Sequence, residues 1–256
     1  MKNLTRHLLK LAIILMLPAL ISGCASRKNI LMLQGISEQT ASFNNPGKSS
    51  YKLHKGDNLY IKVYSVDEKT SKFFQSDFPN LMNPTYLFLN SFTIDASGYI
   101  HVSFIDKLLV EGLTIEEAKG IIQKALNEYF KESTVVVKLA NFQVSVLGEV
   151  NSPGSFTIEK EQVNLFQALG LAGGAREFGN LRKVTLVRQT DTGSEVHILN
   201  LTQQNILESE FFYLMPNDIV YVEPVKAKIA IYGSSAPYII FSTITTALLT
   251  LSLLLK

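Results

Sequence analysis

Tyr51-Lys52-Leu53-His54-Lys55-Gly56-Asp57-Asn58-Leu59-Tyr60-Ile61-Lys62-Val63-Tyr64 is a turn that feeds a strand. Gly56-Asp57 supplies the turn, and Leu59, Ile61 and Val63 then alternate with Tyr60 and Lys62, the period of a half-buried β-strand. Further on, Phe92–Val102 reads as strand, tight turn and strand about Asp95-Ala96-Ser97-Gly98. Thr114-Ile115-Glu116-Glu117 is a capping box, in which the Thr114 hydroxyl and the Glu117 carboxylate satisfy the first free amides of a helix. Ala118, Ile121, Ile122, Ala125, Leu126 and Tyr129 follow at helical spacing, which predicts about four turns with one buried stripe. Thr134–Leu139 is β-branched and extended. Residues 51–141 therefore read as one small α+β unit.

A second unit is predicted over 142–228. Phe142, Val144 and Val146 alternate with Gln143 and Ser145, and Gly148-Glu149-Val150-Asn151-Ser152-Pro153-Gly154 turns the chain into Ser155–Ile158. A short helix from Asn164 through Leu169 stops at Gly170-Leu171-Ala172-Gly173-Gly174. Lys183–Arg188 is expected to pair with Glu195–Leu199 as a hairpin about Asp191-Thr192-Gly193-Ser194. Leu214-Met215-Pro216-Asn217-Asp218-Ile219-Val220 closes the unit with a turn and strand that echo Gly56-Asp57.

The two ends of the chain differ in kind from these units. Lys2, Arg6 and Lys10 precede an apolar stretch, Leu11–Leu20, that is too short to span a bilayer, the pattern of a secretory signal. Ile21-Ser22-Gly23-Cys24 resembles a bacterial lipobox, and Cys24 is the chain's single cysteine. The expectation is cleavage after Gly23 and acylation of Cys24 with chains such as palmitate. Each buried methylene would contribute about 0.8 kcal/mol to membrane binding. Removing residues 1–23 takes the formal net charge from +2 to −1, so no basic face for nucleic acid is expected. Residues 24–50 are polar and rich in turn formers, as in a lipidated tether. Gly47-Lys48-Ser49 is not a phosphate loop, because Ser42 stands where that motif needs Gly.

Residues 229–256 form the predicted C-terminal membrane helix. No charged residue occurs from Ile229 to Leu255, and Tyr238–Leu255 would be about 27 Å long as a helix. On a helical wheel Ser242, Thr243, Thr246 and Thr250 fall within about one quadrant. Ile244, Leu248, Leu251 and Leu255 lie on the opposite, aliphatic arc. The split suits a pore wall, although hydroxyls also bond harmlessly to their own helix carbonyls in a plain anchor.

Catalytic and metal chemistry find little support. Glu116 and Glu117 are adjacent on a helix and diverge by about 100°. His54, His101 and His197 lie on separate elements without ligand spacing, so neither a metal nor another cofactor is expected. Gly148, Pro153, Gly154, Gly173 and Gly174 fit turn geometry better than a ligand cradle. Phe73, Phe74, Phe78, Tyr86 and Phe88 flank Pro79 and Pro84, where they could pack the core or form a subunit contact.

Taken in order, these strings resemble the outer-membrane polysaccharide export lipoproteins, the Wza-type translocons. Tyr51-x-Leu53-x-x-Gly56-Asp57-x-Leu59-x-Ile61-x-Val63, Asp95-x-x-Gly98-x-Ile100 and Gly112-Leu113-Thr114-x-x-Glu117-Ala118 resemble the polysaccharide export sequence domain. Val146-Leu147-Gly148-Glu149-Val150-x-x-Pro153-Gly154, Leu165-x-x-Ala168-Leu169-x-x-Ala172-Gly173-Gly174 and Leu214-x-x-x-Asp218-Ile219-Val220 resemble one soluble-ligand-binding β-grasp (SLBB) domain. The resemblance implies an α+β protein with two small β-rich, β-grasp-like periplasmic domains and a C-terminal membrane helix. It further implies a homo-oligomeric ring in the outer membrane that passes capsular or exopolysaccharide to the cell surface without chemistry. Its partner would be an inner-membrane co-polymerase of the tyrosine-kinase type. The alternative is a monomeric polysaccharide-binding or adaptor lipoprotein whose tail is a simple anchor.

Overall fold

The computed structural model describes residues 31–35, 42–45, 51–65, 88–102, 105–130, 132–190, 192–226, 228 and 236–254. Two hydrophobic cores organise it. In the first, strand β1 (Asn58–Ser65) lies between β2 (Phe92–Thr93) and β5 (Ser133–Leu139), all antiparallel. The predicted alternation holds: Leu59, Ile61 and Val63 are buried, and Ile61 and Val63 lie opposite the buried Val137 and Val135. Phe92–Val102 does not make a strand pair of its own. The Asp95 carboxylate instead accepts the Ser97 and Tyr99 amides. The flanks then part, β2 joining β1 while β3 (Tyr99–Ile100) joins β4 (Leu108–Leu109).

Helix α1 (Ile115–Tyr129) covers this sheet. Its capping box forms as predicted: Thr114 Oγ1 accepts from the Glu117 amide, and the Glu117 carboxylate accepts from the Thr114 amide at 2.8 Å. Its buried stripe is narrower than expected, with Ala118, Ile122 and Leu126 inside and Ile121 and Tyr129 exposed. Gln123 replaces part of that apolar contact. Its side chain donates to the Ser133 carbonyl and accepts from the Val135 amide, at 2.8 and 2.9 Å. In this way it pairs the free edge of β5 as a neighbouring strand would.

The second core lies beneath a five-stranded sheet. Its strands are β6 (Gln143–Gly148), β7 (Gly154–Thr157), β9 (Gly179–Thr190), β10 (Gly193–Leu199) and β12 (Ile219–Pro224), in the order β10-β9-β12-β6-β7. The β9–β10 hairpin has the expected register, Arg188 opposite Glu195 and Val184 opposite Leu199. All neighbours are antiparallel except β12 and β6, which run parallel at the centre. Helix α2 (Leu165–Leu171) starts at an Asn164 cap and buries Leu165, Ala168 and Leu169. A short ladder of β8 (Val163–Asn164) and β11 (Tyr213–Leu214) and a 3-10 turn at Gln204–Glu208 complete the unit. Helix α3 (Ala236–Leu254) follows it. The fold is thus α+β with the two β-rich units in the expected order.

Part of the segment read as a tether is docked. The Leu33 and Gln34 amides donate to the Leu201 and Thr202 carbonyls at 3.1 and 2.7 Å, and Met32 and Leu33 pack on the second core. The Asn44 amide reaches Glu208. The expected linker sequence was polar, but Leu31-Met32-Leu33 within it is an apolar triplet with a surface to bury.

The α1 cap has a measurable signature. Thr114→Ala should lower stability by about 1 kcal/mol in denaturant titration. Hydrogen bonds from the Thr114 amide and then its hydroxyl hold the Glu117 carboxyl below its ordinary value of 4.5. That contribution is present above pH 4.5 and disappears as the pH falls through the lowered folded-state value. Acid unfolding followed by circular dichroism should therefore be less steep in Glu117→Gln than in the wild type.

Candidate functional site

Helix α3 has nineteen residues, a length of about 28 Å. Ser242, Thr243, Thr246, Ala247 and Thr250 line one shallow groove along it, so the four expected pore-lining residues do share a face. Their hydroxyls are partly committed to the helix. Ser242 donates to the Ile239 carbonyl, Thr246 to Ser242, and Thr250 to Thr246 and Ala247, at 2.8–3.0 Å. The groove therefore presents methyls and hydroxyl lone pairs rather than free donors. Leu248 is exposed on another side of the helix. Among the described residues no helix is long and apolar enough to cross a membrane, so the expected spanning role of α3 gains no support from the fold.

The two turns that looked alike in sequence are alike in space. In the first, Gly56 has φ +86° and the Asp57 carboxylate accepts from the amide of His54, three residues back, at 2.9 Å. In the second, Asn217 has φ +67° and Asp218 accepts from the amide of Met215, again three residues back, at 2.8 Å. Asn replaces Gly there because it is among the side chains that tolerate the left-handed region. The remaining carboxylate capacity is used differently. Asp57 accepts from the Tyr51 hydroxyl at 2.8 Å, whereas Asp218, with no exposed surface, takes a bidentate grip from Arg188 at 2.7 and 3.1 Å.

Arg188 is the residue that pattern reading missed. It shares parity with the buried Val184 and Leu186 on β9, and a cation at a core-facing strand position demands a counterion. Arg188 also lies 5.6 Å over the Phe211 ring, on which His197 stacks at 4.0 Å.

The remaining motif residues sit at turns and close backbone approaches. Gly148 is left-handed, and a Cβ there would collide with the Val222 carbonyl of the parallel neighbour β12. Gly98, Gly112, Gly173 and Gly174 also sit at turns with positive φ, and Pro153 and Gly154 lead into β7. The histidines stay apart: His54 meets Tyr51, His101 meets Asp95 and His197 meets Glu195. Among the described residues no His, Cys, Asp and Glu cluster could hold a metal ion. Ile21, Ser22, Gly23, Cys24 and Leu255 lie outside the described residues, as do Phe73, Phe74, Phe78 and Tyr86; Phe88 is exposed.

One further surface stands out. Ile198, Thr185, Tyr221 and Leu147 form a continuous row on the outer face of the five-stranded sheet, by the registers of β10, β9, β12 and β6. Ile198, Tyr221 and Leu147 are exposed, as is Val196 beside them.

The described residues thus form an α+β architecture, with a capped helix on a small sheet followed by a five-stranded sheet. Residues 45–140 match the family model described as polysaccharide biosynthesis/export protein, and residues 143–222 match that of the SLBB domain. The chain belongs to the polysaccharide export protein family with an SLBB domain. These are families of polysaccharide export and binding proteins rather than enzyme families, and membership points to polysaccharide cargo and an outer-membrane or periplasmic role.

The buried pair gives a direct test of what holds the second unit together. Asp218→Ala leaves Arg188 buried and unpaired and should cost about 3–5 kcal/mol in denaturant unfolding. Replacing both residues, as Asp218→Leu with Arg188→Met, should recover most of that loss.

Proposed function

We propose that this protein is an outer-membrane lipoprotein that assembles into a ring-shaped channel and passes capsular or exopolysaccharide from the periplasm to the cell surface. The observation that carries the reading is the order of parts: export domain, SLBB domain, then a helix with a groove of Ser242, Thr246 and Thr250. In a ring of such helices the hydroxyl side of each faces water and the Ile244, Leu248, Leu251 and Leu255 side faces lipid. The family's cargo needs a hydrated path and no chemistry, in keeping with carboxylates and histidines that are spent on caps, turns and separate pairs. The exposed Ile198, Tyr221 and Leu147 row supports self-association, because contiguous apolar surface of this kind on a secreted domain is normally covered. An inner-membrane co-polymerase of the tyrosine-kinase type would deliver the polymer to the ring.

The back-bonded hydroxyls suit a second reading, a monomeric adaptor with a simple anchor, since Ser242, Thr245, Thr246 and Thr250 already donate inside the helix. Paired substitutions separate the two. In a channel, Thr246→Lys keeps its charge in water, whereas Leu248→Lys meets hydrocarbon at about 2.5–3.5 kcal/mol near the helix centre. Membrane yield and oligomer content should therefore survive Thr246→Lys and fall in Leu248→Lys, and equal losses would favour the anchor. Lipidation is tested separately by metabolic labelling with a fatty-acid analogue, which Cys24→Ser should abolish.

A further inference from the structure

The SLBB sheet has two distinct ends. The first unit joins at one of them: Phe142 and Gln143 begin β6, the Asn217 amide donates to the Gln143 carbonyl, and Ile158 donates to Phe142. The opposite end is formed by Phe178–Leu181 at the start of β9. The Leu201 amide donates there to the Leu181 carbonyl, the Val225 amide donates to Phe178, and Pro224 lies opposite Gly179. Two further described segments meet this second end. The docked segment Leu31–Gly35 is pinned on Leu201 and Thr202, and Val225–Lys228 leads toward α3.

Six residues lie between Cys24 and Leu31, an extended reach of about 25 Å at most. Seven lie between Lys228 and Ala236. Two short leashes, one to the acylated residue and one to the tail helix, thus start at the same end of one domain. The strap bonds make that geometry fixed rather than free, because a loose tether from Cys24 to Tyr51 could reach either unit.

The charge at this end is of one dominant sign. Arg176, Arg182 and Lys226 are exposed, while Lys183 and Lys228 are paired with Glu223 and Glu149. Glu177 is also exposed, beside Arg176. With the mature chain net negative, this local excess of cations runs against the overall balance.

We infer that this end of the SLBB domain is its membrane-contacting face, on which Arg176, Arg182 and Lys226 meet an anionic phospholipid headgroup surface while the Leu31–Gly35 strap holds the lipidated end of the chain against the domain. The inference rests on the membrane-anchored reading above and adds to it which surface meets the bilayer and through which side chains. Each cation near such a surface contributes about a fivefold preference for it.

The test uses the full-length acylated protein reconstituted into phosphatidylethanolamine vesicles with and without phosphatidylglycerol, all carrying a headgroup-spin-labelled lipid. Acylated Cys24 has no free thiol, so a single added cysteine carries the fluorophore. Ser152→Cys places it at the proposed face, where the Ser152 amide meets Ala172, and Thr157→Cys places it at the other end, opposite Gln143. Quenching should be several-fold stronger at Ser152, and phosphatidylglycerol should increase it. The triple reversal R176E/R182E/K226E should remove that increase while leaving the protein in the vesicle fraction. Equal quenching at the two sites, or stronger quenching at Thr157, would overturn the orientation. An increase with phosphatidylglycerol that survives the triple reversal would overturn the headgroup contact. Wild-type protein that washes off the vesicles would overturn the anchoring reading and this inference with it.

Discussion

The constraint on which the second unit depends is that its first and last strands are parallel neighbours. β6 and β12 lie side by side at the centre of the sheet and point the same way. Parallel neighbours cannot be joined by a tight turn and need a long connection. That connection here is most of the domain: β7, β8, α2, the β9–β10 hairpin, the 3-10 turn and β11. A chain that enters along β6 and leaves along β12 must pass from one end of the sheet to the other. The domain therefore carries the chain about 20 Å in one direction along β12, rather than returning it to where it began. That directionality is what the proposed placement between a periplasmic domain and a membrane requires.

The parallel pair is held in register at both ends by backbone features that sequence alone can supply. Gly148 ends β6 where any Cβ would strike Val222, so the close approach requires glycine. The left-handed Asn217 and the buried Asp218 begin β12, and the Asp218 carboxylate ties the turn to β9 through Arg188. A fully buried ion pair is a poor source of net stability, because desolvation offsets most of its attraction. Its use is geometric: bidentate pairing admits one orientation of turn against strand. The first unit solves the same turn without a charge pair: its Asp57, also buried, accepts from the Tyr51 hydroxyl.

Several ionisable side chains are paired within the fold. Glu117 is bound to Thr114, Asp95 to its own turn and His101, and Glu149 to Lys228. These carboxylates are engaged in a cap, a turn and ion pairs. Among the described residues, what remains exposed is apolar on the sheet face and hydroxyl-lined on α3, the two surfaces on which the proposed assembly and passage rest.

Much of this was legible in sequence because it is local. Alternation of Leu59, Ile61 and Val63 gives a strand by the pleat alone, Thr114-x-x-Glu117 caps a helix by reach alone, and Gly56-Asp57 and Asn217-Asp218 turn by backbone sterics alone. The hydroxyl quadrant of α3 likewise follows from the helical period. Contacts between segments distant in sequence were decided only in the tertiary structure. They include Arg188 meeting Asp218, Gln123 closing the edge of β5, β2 and β3 parting to different sheets, and Leu33 docking on Leu201 across more than half the chain. The physical reason is that periodicity states which side of an element is buried but not what covers it. That choice is made by burial and hydrogen-bond satisfaction summed over the whole fold.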